Sequence, residues 1–236
     1  MGSFFENLIE LWSKFYFIEP ILICSAGYSL IQISKGNYSF PFRRYFLLYT
    51  GSVTLLFIAG ALILVGDLNI SLKSKYIELA NCGFNIIEMY CFSQFFICVL
   101  HSERAKKNIS KISIFIIILN STSFIVLLFS PFFKGFYNYT DLLCAINFFF
   151  LMGPCILYFL EIYIQNNRLH WSTSVVVIFL FTYCVVSLPS LVVLENFRRQ
   201  YDFMMILLFV PHLLFLSLLC LTMGTLGKNF SVSRLI

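Results

Sequence analysis

Apolar stretches long enough to cross a bilayer recur seven times along this chain, at about 16–34, 44–66, 77–101, 111–133, 141–164, 172–194 and 203–226. A membrane helix needs roughly 20 apolar residues to cover the hydrocarbon core. Lipid offers no partner to backbone N–H and C=O groups, so runs of this length fold as helices, which satisfy those groups internally. The connections are short and polar: "SKGNYSFPFRR", "GDLNISLKSK", "HSERAKKNISK", "KGFYNYT", "QNNRLHW" and "ENFRRQYD". Only 11% of the residues are charged and 60% are hydrophobic, against about 25% charged in soluble domains. A water-soluble globule is excluded on that ground. The 29 Phe and 13 Tyr suit a lipid-facing surface with aromatic belts at its edges. The expected fold is an all-α integral membrane protein, one domain over residues 1–236, built as a seven-transmembrane-helix bundle.

Lys and Arg set the orientation, because cytoplasmic loops carry the excess. One face has Lys14, Lys73, Lys75, Lys134, Arg198 and Arg199. The other has Lys35, Arg43, Arg44, Arg104, Lys106, Lys107, Lys111, Arg168, Lys228 and Arg234. The bias places the N-terminus outside and the C-terminus in the cytoplasm. The opening "MGSFFENLIELW" has acids at Glu6 and Glu10 and no basic n-region, so it reads as a short helix on the membrane surface rather than a signal peptide. Glu6 also stands where a myristoylation signal needs Ser or Thr.

The third apolar stretch is the informative one. Glu78, Asn81, Asn85 and Glu88 follow i, i+3, i+7, i+10 spacing and share one helix face. Each unpaired polar group costs several kcal/mol against lipid, so this stripe is expected to face the bundle interior. Glu88 lies near mid-span. The preferred partner at that depth is His212 in the seventh stretch, just after Pro211. Asn120 in the fourth and Asn147 in the fifth complete one expected buried polar centre. Pro20, Pro154 and Pro211 are expected to break the first, fifth and seventh helices, since proline removes a backbone donor. A packing role stands beside the functional one, because interhelical hydrogen bonds between single polar residues are common.

The remaining polar residues fit the membrane edges. Glu161, Glu19, the Arg43–Arg44 and Arg198–Arg199 pairs, His170 and His101 read as interfacial anchors or loop partners. All eight cysteines, at 24, 82, 91, 98, 144, 155, 184 and 220, fall in apolar runs without a CxxC pair. They read as small packing residues. The six N-x-S/T sequons, at Asn37, Asn69, Asn108, Asn120, Asn138 and Asn229, follow from composition.

Catalytic patterns are missing. The three histidines show no HxxxH or HExxH spacing, and no GxSxG elbow, P-loop or dinucleotide glycine fingerprint occurs. No lysine lies between Phe203 and Gly227, which excludes a retinal Schiff base there. The three aspartates, Asp67, Asp141 and Asp202, sit at span ends. No enzyme, no metal and no cofactor are expected, and a formal charge of only +5 spread over loops speaks against nucleic acid.

With "FNIIEMYCFSQFF" in the third span and "FFFLMGPCILYFLEIY" in the fifth, the chain resembles the seven-helix membrane modules of Bacteroidota that occur alone or ahead of sensor histidine kinases. The resemblance implies a sensory or regulatory module in a bacterial inner membrane, with no catalytic residue to carry over. This chain ends nine residues after Gly227, so output is expected through a protein partner, with membrane lipids as the other contact. The expected function is a non-enzymatic sensor, receptor-like protein or accessory subunit. It would bind a small or lipidic ligand in a polar cavity beside helix three. The alternative is a small proton-coupled transporter, although no repeat between halves is visible.

Overall fold

The computed structural model of the protein describes residues 18–36, 42–65, 70–129, 137–165, 171–197 and 202–226. Seven helices account for nearly all of them: α1 (Ile18–Lys35), α2 (Phe42–Val65), α3 (Ile70–Val99), α4 (Glu103–Phe129), α5 (Tyr137–Gln165), α6 (Trp171–Phe197) and α7 (Asp202–Leu226). No strand occurs among the described residues. Five helices, α2 to α6, are long and apolar enough to cross a membrane, and the described apolar part of α7, Pro211–Leu226, is shorter.

Two helices begin well before the apolar runs that announced them. α3 starts at Ile70 and α4 at Glu103, so the basic segment "ERAKKNISK" is helix and not loop. Apolarity measures the hydrocarbon crossing, whereas Glu, Arg, Ala and Lys are strong helix formers that extend the rod beyond it. Ser102 caps α4, its Oγ accepting the Ala105 N–H at 3.3 Å.

Chain neighbours other than α4 and α5 pack side by side, α1 also packs on α7, and α3 also packs on α5. α3 therefore touches α2, α4 and α5. α4 leans on α3 and has little contact with α5. The core is largely apolar, and so is much of the outer surface. The outer surface shows Phe129, Phe149, Phe115, Leu55 and Ile164, each more than half exposed, while Glu88, Asn120, Asn147, Thr50 and Ser187 are buried. Exposed apolar area on that scale needs lipid or a partner to cover it. α4 shows the pattern residue by residue: Ile109, Ser113, Ile116, Asn120, Ser123 and Leu127 are buried. Their alternating 4–3 spacing is that of a helix-packing seam.

Hydrogen bonds tie the helix ends together. At one end Glu161, in the last turns of α5, accepts the His101 N–H at 2.7 Å through Oε2 and the Ser102 N–H at 3.0 Å through Oε1. Arg43 donates to the Ser34 carbonyl at 2.6 Å, holding α2 to the end of α1. At the other end Lys75 Nζ donates to the Leu128 carbonyl at 3.2 Å, one of the last-turn acceptors of α4. α1 and α7 approach closely where Gly224 faces Ser29: a Cβ built on Gly224 would stand 2.8 Å from the Ser29 Cα. Small residues permit that backbone approach.

The prolines do not break the helices as expected. α5 and α7 run through Pro154 and Pro211, since losing one ladder bond leaves the rest of the ladder intact. Pro20 stands in the first turn of α1, where its missing N–H would have had no intrahelical partner. None of the eight cysteines is in a disulfide. The expected N-terminal surface helix, His170, the Arg198–Arg199 pair and the C-terminal tail lie outside the described residues, as do the side chains of Glu19, Asp141 and Asp202.

Candidate functional site

Glu88 sits at the centre of α3 with no exposed surface. Its Oε1 accepts a hydrogen bond from the Tyr49 hydroxyl of α2 at 3.4 Å, and its Oε2 has no hydrogen-bond partner among the described residues. Tyr49 reaches it because Phe42, Phe46, Tyr49 and Val53 form the buried face of α2. The Tyr49 ring packs edge-on against Phe92, one turn along α3, with centroids 4.7 Å apart. Tyr183 of α6 faces the same carboxylate.

The expected Glu88–His212 pair does not form. His212 Nδ1 lies 2.6 Å from Ser187 Oγ of α6, and that hydroxyl also donates to the Tyr183 carbonyl at 2.6 Å. Tyr183 adjoins both: its ring packs tilted against His212 with centroids 5.2 Å apart, and its side chain also faces Glu88. The carboxylate is met by tyrosines of α2 and α6, and the imidazole is taken by Ser187 instead. Phe148 closes the group, edge-on to Tyr183 at 5.3 Å and to His212 at 6.4 Å.

The other expected members form separate pairs. Asn85, buried on α3, donates to Cys144 Sγ of α5 at 2.9 Å. Asn81 is half-buried one turn earlier, and Glu78 is buried beyond it. Asn120 Nδ2 donates both to its own helix, at the Ile116 carbonyl (2.9 Å), and to Asn147 Oδ1 of α5 (3.2 Å). Asn120 Oδ1 and Asn147 Nδ2 have no partner among the described residues. One amide face is thus spent, and the acceptor and donor of the other are open. In place of a single centre there are three polar junctions: α2–α3–α6–α7 around Glu88 and His212, α3–α5 at Asn85, and α4–α5 at Asn120.

Beside that last junction a groove of about 950 Å³ opens between α4 and α5. Its wall includes Ile109, Ile112, Phe115 and Ile116 from α4 and Ala145, Ile146, Phe149, Gly153 and Pro154 from α5. Ser102, Arg104 and Asn108 line one end. Pro154 helps shape it, since the proline removes the N–H that would bond the Phe150 carbonyl, and Phe150 lines the groove too.

Tyr49, Tyr183, Ser187 and Cys144 were not among the expected site residues. Their signal is periodic: Val176, Leu180, Tyr183, Cys184 and Ser187 recur on the buried face of α6 as Tyr49 does on α2. A tyrosine in a chain with 13 of them stands out only once its face is known to be buried. Among the described residues no three His, Cys, Asp or Glu side chains gather as a metal site. No known family's sequence profile matches the chain, and no curated protein matches it.

Proposed function

We propose that this chain is an integral membrane protein of seven spans that acts without catalysis, as a sensor or accessory subunit taking a small or lipidic ligand into the bundle beside α3. One observation carries the reading: the buried carboxylate of Glu88 has the Tyr49 hydroxyl on one oxygen, and the other oxygen, though Tyr183 faces the carboxylate, finds no hydrogen-bond partner among the described residues. Burying a carboxyl group is costly unless its acceptors are filled. A side chain kept only for packing gains most when both oxygens are bonded, whereas a ligand donor completes a half-filled one. Its neighbours come from α2 and α6, so occupancy there bears on several helices at once. The resemblance to sensor-linked modules agrees with that role, with output through a partner protein in a bacterial inner membrane.

The orientation proposed is N-terminus outside. Lys35, Arg43, Arg44, Arg104, Lys107 and Lys111 belong to the end of the bundle that Glu161 ties together, and basic residues favour the cytoplasmic side.

The test is purification of the intact protein from its native membrane, with identification of bound small molecules and co-purifying proteins. Wild type is expected to retain a compound that Glu88→Gln, folded equally well, releases. Equal retention by both removes Glu88 from the ligand site. A second reading, a small proton-coupled transporter, draws on the same lone buried carboxyl group. Solute flux in proteoliposomes driven by a pH gradient, and lost in Glu88→Gln, would replace the sensor reading with it.

A further inference from the structure

The α4–α5 groove is separate from the Glu88 junction and has a chemistry of its own. Its three polar lining residues, Ser102, Arg104 and Asn108, all lie at one end, and every other lining residue is apolar, alanine, glycine or proline. Along α4 the lining runs from Ser102 to Ile116, about 21 Å at the helical rise. That is somewhat more than the half-thickness of a hydrocarbon core, about 15 Å. The polar end is also cationic. Glu103 is bonded by Lys106 at 2.7 Å, and Glu161 is taken up by the His101 and Ser102 amides. Arg104, Lys107 and Lys111 remain exposed there without an ion pair among the described residues. An apolar trough one leaflet deep with a cation at its mouth is complementary to one class of molecule.

We infer that this groove seats an anionic glycerophospholipid, with an acyl chain along Ile112, Phe115, Phe149 and Gly153 and its phosphate at Arg104. The phosphate oxygens take the guanidinium in the bidentate geometry that arginine offers. Asn108 and the Ser102 O–H supply further donors, Ser102 Oγ being engaged only as an acceptor by its cap. The chain covers Phe115 and Phe149, which are 65% and 74% exposed. Gly153 forms part of the trough: a Cβ built there meets nothing within 4 Å. The inference shares with the proposed function only the membrane setting, and it assigns no role to Glu88.

The experiment is native mass spectrometry of the full chain in mild detergent, titrated with phosphatidylglycerol or with phosphatidylcholine of the same tails. Wild type is expected to hold one phosphatidylglycerol in preference to phosphatidylcholine. Gly153→Leu fills the trough and should weaken retention of both lipids roughly tenfold, the loss of about two methylene contacts. Arg104→Gln, on an exposed side chain, leaves the trough open and should lower the phosphatidylglycerol preference roughly fivefold, the weight of about one basic residue at a membrane surface. Equal retention of the two lipids by wild type, or unchanged retention in a folded Gly153→Leu, overturns the assignment. So does a polypeptide co-purifying in place of lipid and displaced by Gly153→Leu. Unchanged ligand retention at Glu88 in these variants separates this outcome from the fate of the proposed function.

Discussion

The Tyr49 hydroxyl donates to Glu88 Oε1 across the α2–α3 interface at 3.4 Å, while Tyr183 of α6 faces the same carboxylate. The length is beyond the usual range for O–H···O contacts, so the bond is weak for a buried one. Tyr49→Phe should cost no more than about 0.5 kcal/mol, the low end of the net value of a hydrogen bond, and Glu88→Leu about as much. A double-mutant cycle read by denaturation in mixed micelles isolates the pair. A coupling energy near zero would mean that Tyr49 supports the fold through its rings with Phe84 and Phe92 and not through its hydroxyl.

Asn120 and Asn147 make a sharper case for non-additivity. Each is fully buried, and the Asn120 Nδ2 donor is the bond between them. Asn120→Leu leaves the Asn147 amide without a partner, a cost of about 1–3 kcal/mol. Replacing both by Leu removes the polar groups together and should cost less than the sum of the single changes. Thermal unfolding of the two singles and the double decides this. A double mutant that is simply additive would show that the amides act independently.

How far the sequence discloses this arrangement depends on whether a property is local. The Glu78–Asn81–Asn85–Glu88 face is a matter of helical period, and three of its four members are buried with Asn81 half-buried. Partner choice is not local. His212 stands out in the sequence because histidine is rare here, yet it bonds Ser187, and Glu88 bonds one of many tyrosines. Which residue meets Glu88 depends on the rotation of α2 and α6 about their axes, and no single helix records that. The α4–α5 groove is harder still to read, because it arises from two helices standing apart. Only Ala145, Gly153 and Pro154, small or donor-deficient residues along one helix, hint at it.

The α1–α7 seam predicts opposite outcomes for two glycines. Gly224→Ala drives a methyl group to within 2.8 Å of the Ser29 backbone, which cannot yield as a flexible side-chain tip can. The helices must separate, at a cost of about 1–3 kcal/mol for an overpacked contact. Gly60→Ala in α2 meets nothing within 4 Å and should gain up to about 1 kcal/mol from helix propensity. Comparing the two midpoints on one denaturation axis checks the seam, and a neutral Gly224→Ala would show that the close approach is not maintained in the bilayer.

Glu161 offers the last prediction, on a junction rather than on overall stability. Its two oxygens accept the His101 and Ser102 amides, two of the three residues that separate α3 from α4. Carboxylate-to-amide bonds are charge-assisted and stronger than neutral ones. Removing the acceptor with Glu161→Ala frees both N–H groups at the start of α4, beside the Ser102 cap. Hydrogen exchange at His101 and Ser102 should quicken by roughly tenfold to a hundredfold, the equivalent of about 1.5–3 kcal/mol for a bond to a charged group. The cap bond from Ala105 to Ser102 Oγ depends on the same turn, so Ala105 should quicken with them. Glu161→Gln keeps one carbonyl acceptor in place of two and should fall between wild type and Glu161→Ala. Exchange confined to its wild-type rate in Glu161→Ala would mean that the turn is held by α3 and α4 themselves, with α5 merely lying beside it.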